Sequence, residues 1–218
     1  MTSRSSFAGL STRAVHAGDP EPSVGAPVTT PIFQSSTFHG DPDGQGEVLY
    51  SRYGNGPNNV AVEARIAALE GGDDCVAVGS GMAAVACALL ACVQAGDHVL
   101  AADALYGGTR GLLDRELSRL GVETTYADFL APGWEAGFRP NTRVVLAETV
   151  SNPLLRVPDL DALAEAAHAH GALLVVDSTF ATPVNARPLE RGADLVVHSA
   201  TKYLGGHSDL TAGTVVGG

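Results

Sequence analysis

Lysine is all but absent. The 218-residue chain has 13 lysine and arginine residues, and only Lys202 is lysine. Cations as a whole are outnumbered by 24 acidic residues, leaving a formal net charge of -11 at pH 7. Such a chain repels polyanions, so neither nucleic acid nor an anionic membrane surface is an expected partner. Long apolar runs are missing too: none reaches the roughly 18 residues that a membrane span needs. The first 18 residues, MTSRSSFAGLSTRAVHAG, have no hydrophobic signal core, although their lack of acids and their Ser and Arg content fit a transit peptide weakly. The three cysteines, Cys75, Cys87 and Cys92, are odd in number and match no zinc spacing. Cys87 and Cys92 lie in an Ala/Leu stretch, which predicts buried reduced thiols and a reducing cytoplasm. No metal site is expected among the histidines.

What is present is length enough for one large domain, with 45% hydrophobic residues and a mean hydropathy of +0.12, as in a soluble globular protein. Residues 1–57 are rich in Pro, Gly, Ser and Thr and show no strong period. They read as an arm, either disordered or laid over something else. From residue 58 helices and short apolar strands alternate. NNVAVEARIAALEGG, SGMAAVACALLACV, GGTRGLLDRELSRLG and DLDALAEAAHAHG read as helices. CVAVGS, HVLAAD, ETTYAD, RVVLAET, ALLVVDS, ADLVVHS and AGTVVGG read as strands. This order predicts an α/β domain over 58–218 with a mostly parallel seven-stranded sheet sandwiched by helices.

In such sheets ligands sit beyond the carboxyl ends of the strands. The residues that follow the strands are therefore informative: Ser80, Gly81 and Met82; Asp103 and Tyr106; Glu148 and Asn152; Asp177 and Thr179; Ser199, Thr201 and Lys202. Three chemistries compete for that edge. Gly79-x-Gly81-x-x-Ala84, with Asp103 closing the next strand, approaches an NAD-binding Rossmann fingerprint but gives Lys202 no role. Ser199-x-x-Lys202 matches an acylating serine pair, yet the second lysine its partner motif needs cannot exist in this chain. A pyridoxal phosphate site uses the most residues. Lys202 would form the Schiff base, which a guanidinium cannot. Asp177 would keep the pyridine nitrogen protonated, Tyr106 would stack on the ring, and Ser80, the Gly81 and Met82 amides, Ser199 and Thr201 would hold the phosphate. Each of these residues has an ordinary structural role available; their convergence with the only lysine is the argument.

The chain resembles the Cys/Met-metabolism family of pyridoxal phosphate enzymes, the trans-sulfuration enzymes that include cystathionine γ-synthases, cystathionine γ-lyases and methionine γ-lyases. TRAVHAG and PVTTPIFQSSTF are similar to the family's N-terminal arm, and YSRYGN, GSGMAA, YGGT, ETVSNP, VVDSTFATP and HSATKYLGGHSD follow in the family's order. The resemblance implies a fold type I large domain. It implies that Lys202 carries the cofactor and shuttles protons, Asp177 pairs with the ring nitrogen, and Tyr106 stacks and assists as a base. Asn152 would approach the ring's phenolic oxygen. Gly81, Met82, Ser199 and Thr201 would bind the phosphate, with Ser80 and Thr179 beside them. Tyr50 and Arg52 would reach the phosphate of a neighbouring subunit, so the arm would order across an interface in a homo-oligomer, a dimer of dimers. The implied reaction is elimination or replacement on sulfur-containing or O-acyl-homoserine amino acids.

Three features depart from the family. YSRYGN is followed by GPNN where the family has Pro and Thr. Gly108 stands where methionine γ-lyases carry cysteine. The family's smaller C-terminal domain, with the arginine that binds the substrate carboxylate, is expected to be missing, which leaves a catalytically incomplete cofactor-binding piece or scaffold as an alternative to a complete enzyme.

Overall fold

The structure is a computed structural model that describes residues 9–218. The first eight residues of the expected arm, and of the transit-like segment, lie outside the described residues. The chain forms two compact units, one ending at Leu69 and one beginning at Glu70. Residue 57, the last of the expected arm, is the first residue of a helix.

In the first unit a short helix, α1 (Leu10–His16), precedes a long irregular stretch and α2 (Pro57–Glu70), whose last residue opens the second unit. The sequence reading has no helix at 10–16. Its seven residues bury none of their side chains, so no apolar stripe announces it. The irregular stretch is laid along α2 by polar side chains. Arg65 donates to the carbonyl of Ala17 and to Asp19 at 2.7 Å each, Arg13 donates to the Ala68 carbonyl at 2.7 Å, and the Asn58 amide clasps Pro31 and Phe33. Val24, Val28 and Ile32 are left exposed.

The second unit is built on a seven-stranded sheet: β1 (Asp74–Val78), β2 (His98–Ala102), β3 (Glu123–Ala127), β4 (Thr142–Glu148), β5 (Leu173–Asp177), β6 (Leu195–His198) and β7 (Gly213–Gly217). Their order is β1-β7-β6-β5-β4-β2-β3, with β2 to β6 parallel and β7 antiparallel to both of its neighbours. All five residues of β2 are buried. Successive side chains point to opposite faces, so the sheet is covered on both. Helices α3 (Gly81–Cys92), α4 (Gly107–Gly111, continuing as a π turn to Leu117), α5 (Leu160–Ala169) and the short α6 (Thr182–Asn185) connect the strands, with α3 on β6 and β7 and α5 on β5. Asp159 caps α5 by accepting from the N–H of Asp161.

One expectation is corrected. Cys87 is exposed, and the buried cysteine is Cys75 on β1. On α3 the inward stripe is Ala84, Val85, Ala88 and Leu89, and the helical period turns Cys87 away from it.

The sheet order also bears on the Rossmann alternative. That fold places its first strand centrally among parallel neighbours. Here β1 is an edge strand whose one partner, β7, runs antiparallel, so the glycine-rich turn after β1 is not a Rossmann turn. The insertion of β7 between β6 and β1 has a further consequence. Two reversals restore the direction, so β1 ends on the same edge as β4, β5 and β6, with Val78 and His198 both level with the start of β7.

Candidate active site

A cavity of about 240 Å³ opens on that edge and brings together Ser80, Gly81, Met82, Tyr106, Asn152, Asp177, Thr179, Ser199, Thr201 and Lys202. These ten are all the expected site residues of the second unit. Tyr50 and Arg52 belong to the first unit, where the Arg52 guanidinium lies 5.7 Å from the centre of the Tyr50 ring.

Two glycines bring the start of α3 to the loop after β6. The carbonyl of Ser80 crosses the start of β7 so closely that a Cβ on Gly213 would lie 2.1 Å from it. A Cβ on Gly81 would lie 2.4 Å from the Cβ of Ser199. The Ser80 hydroxyl caps α3 by accepting from the N–H of Ala83 at 3.1 Å. The N–H groups of Gly81 and Met82 stay outside the helical ladder at the positive end of its dipole, beside the Ser199 hydroxyl. This is an anion-binding arrangement.

Lys202 stands on a turn fastened from both sides. Its N–H donates to the Ser199 carbonyl at 3.0 Å, and Gly206 N–H donates to its own carbonyl at 2.8 Å. The Thr201 hydroxyl donates to the Ala212 carbonyl at 3.2 Å and accepts from the Ala212 N–H at 3.0 Å. With its one proton taken, Thr201 acts here as the clasp of the turn, and donating to an anion would require releasing Ala212.

Asp177, the last residue of β5, is half-buried at the cavity wall. Burial pushes its carboxyl above the ordinary carboxylate range. The Thr179 hydroxyl and N–H, the latter at 2.9 Å, and the nearby His198 oppose that rise. Thr179 also accepts the Ser199 N–H at 2.8 Å, so one side chain links the Asp177 end of the site to the Ser199 end.

Sequence reasoning gave Glu148 no role. It is the last residue of β4 and 5% exposed. One carboxyl oxygen accepts the N–H of Tyr106 at 2.6 Å and the other that of Asn152 at 2.8 Å. Burial raises its pKa to about 7; these two hydrogen bonds work against the rise and the charge of Asp177 adds to it. The signal was present in ETVSNP, where an acid at the end of an otherwise apolar strand needs a buried partner. Phe180 and Val150 add apolar wall.

An amine, a carboxyl on the cavity wall, an aromatic ring and a helix amino end around one small cavity fit the donor set that pyridoxal phosphate needs. Residues 11–218 match the family model described as Cys/Met metabolism PLP-dependent enzyme. The chain belongs to that family.

Its relatives are known enzymes. The chain is 46% identical over 220 residues to an L-methionine gamma-lyase of Porphyromonas gingivalis, covering 96% of this chain and 55% of that protein. It is equally 46% identical to a cystathionine gamma-synthase of Mycobacterium tuberculosis, covering 99% and 56%. The crystal structure of cystathionine gamma-lyase from Lactobacillus plantarum complexed with L-serine superposes with a TM-score of 0.91 at 39% identity, covering 96% of this chain and 55% of that one. The chain thus spans about half the length of the family members it matches. Lyase and synthase match it equally well, so overall similarity does not divide these activities.

Proposed function

We propose that this chain supplies the pyridoxal phosphate-binding domain of an enzyme that eliminates or replaces the Cβ or Cγ substituent of a sulfur-containing or O-acyl-homoserine amino acid. The observation that carries the reading is the placement of the only lysine, Lys202, on the same cavity as Asp177 and the amino end of α3. The two relatives named for the lyase and the synthase activities support it.

Lys202 would hold the cofactor covalently. Gly81, Met82 and Ser199 would hold its phosphate, Asp177 its ring nitrogen, Asn152 its phenolic oxygen and Tyr106 its face. Bound there, pyridoxal phosphate supplies an electron sink that stabilises negative charge on the substrate's α-carbon. The chain's own residues do the rest. The Lys202 amine, once displaced by the amino acid, takes the Cα proton and can return it at Cγ. Asp177, as a carboxylate, would accept a hydrogen bond from the protonated ring nitrogen, whose positive charge would offset the burial that raises the carboxyl's pKa. Phe180 and Val150 exclude water from one wall. The Tyr106 ring and the Met82 sulfur pack directly on Gly108, where a Cβ would lie 2.5 Å and 2.9 Å from them. A cysteine there would have to displace both, so this packing favours a cystathionine-type activity over a methionine γ-lyase.

The working unit in this reading is a cytoplasmic homo-oligomer in which Tyr50 and Arg52 reach a neighbouring subunit's phosphate. The exposed Val24, Val28 and Ile32 of the first unit support an arm that is covered by a second copy.

The test is reconstitution with pyridoxal phosphate, followed by visible absorption, borohydride reduction and peptide mapping. The expected result is a visible band lost on reduction, with the adduct on Lys202, and no band in Lys202→Arg. An adduct confined to the terminal amine would overturn the reading. Turnover of cystathionine, assayed on the same sample, separates a complete enzyme from a cofactor-binding piece.

A further inference from the structure

The carboxyl of Glu148 is shared between two backbone N–H groups that come from opposite directions. Tyr106 lies in the loop between β2 and α4, and Asn152 follows β4 itself. In the cofactor reading these two residues meet the same ring, one on its face and one at its edge. Resting on that reading, we propose that Glu148 is a positioning residue whose ionised carboxylate holds both loops at once, so that one protonation disturbs both ring contacts.

The two bonds share one titrating group. An ionised carboxylate presents two equivalent acceptors and satisfies both N–H groups with charge-assisted bonds. A protonated carboxyl turns one oxygen into a donor, and a buried N–H facing it loses its acceptor. The charged and titratable groups around Glu148 do not hold it ionised. Asp177 on β5 is a like charge, and Lys202 and the Tyr106 phenol line the same cavity. On its other side a small crevice contains Asp103, Asp128 and Arg156. There the one cation is divided between the two acids, at 3.4 Å and 3.2 Å. With a pKa of about 7, Glu148 changes its protonation within the neutral range.

The experiment is a pH titration of the protein reconstituted with pyridoxal phosphate, from about pH 5 to about pH 9. The readouts are the visible circular dichroism of the bound cofactor and the backbone amide resonances of Tyr106 and Asn152. Wild type should show both amides and the dichroism moving with one midpoint near pH 7. Glu148→Gln keeps the shape but has one acceptor oxygen. It should flatten that titration and weaken cofactor binding at about pH 8 by roughly tenfold, with the visible band retained. Separate midpoints for the two amides, a titration that survives in Glu148→Gln, or cofactor binding unchanged in the variant would each overturn the proposal. If the variant does not fold, the wild-type midpoints decide. Failure of the cofactor reading is distinguishable, because wild type would then show no visible band while the two amides would still titrate together.

Discussion

Gly81 packs directly against Ser199. A Cβ added to Gly81 would lie 2.4 Å from the Cβ, 2.5 Å from the Oγ and 2.8 Å from the Cα of Ser199. The contact joins the amino end of α3 to the turn that carries Lys202, residues more than a hundred positions apart in the chain. It makes the anion-binding end of the cavity depend on one missing methyl group.

Gly81→Ala should therefore separate the two halves of the site. The contacts with the Cβ and Cα of Ser199 cannot be relieved by rotating a side chain, and overpacking of this kind costs about 1–3 kcal/mol. Thermal unfolding should show the loss, and equilibrium titration with pyridoxal phosphate should show weakened binding. A second change, Ser199→Gly, removes the nearest atoms and should recover part of the stability.

Thr179→Val tests the link between Asp177 and Ser199. Valine keeps the shape and loses the hydroxyl that accepts from the Ser199 N–H at 2.8 Å. The unpaired N–H costs about 1–3 kcal/mol. The loss of the hydroxyl also lets the Asp177 pKa rise further, since Thr179 now holds it down. The measurable outcome is lower stability in urea and a shifted pH profile of cofactor binding.

Glu70 and His198 form a fully buried pair, Oε1 to Nε2 at 2.5 Å, directly before the Ser199 turn. Among the described residues, the second atoms of both side chains have no hydrogen-bond partner. Glu70→Ala leaves the buried His198 ring without its partner and should cost about 1–3 kcal/mol. Glu70→Gln, which keeps a hydrogen-bonding oxygen, should cost less. Urea unfolding of the two variants checks the order.

Glu148 should give the protein a stability slope of defined sign. Its ordinary pKa is 4.5 and its value in the folded chain is about 7. The folded state therefore holds this proton at pH values where the unfolded chain has released it. Stability from this group is present below pH 4.5 and is lost as the pH rises toward 7. The difference in unfolding free energy between wild type and Glu148→Gln should fall across that window and stay flat above it. A difference that is constant across the window would contradict the assignment.

Much of this protein follows from local order. Apolar strands alternating with helices require a covered, mostly parallel sheet, because strands such as β2 carry no polar face to leave in water. The residues at the strand ends, and the use of lysine once in an arginine-rich chain, were legible because chemistry restricts which side chain can stand there. The exposed face of Cys87 could also be read from helical period, once the inward stripe was set by Ala84, Val85 and Leu89.

Other features were decided only when distant segments met. Helix α1 buries none of its side chains and is fixed by its own Arg13, which donates to the carbonyl of Ala68 near the end of the first unit. The antiparallel β7 brings β1 to the active edge, a relation set by which strands pair and not by their composition. Glu148 looks like any strand-end acid until β4 places it between the backbones of Tyr106 and Asn152. The order of strands and main helices in the second unit, the chemistry of the edge and its single amine are local properties, legible in the residues themselves. Tertiary structure decided which backbone groups each carboxyl holds, because hydrogen-bond partners and desolvation depend on neighbours far away along the chain.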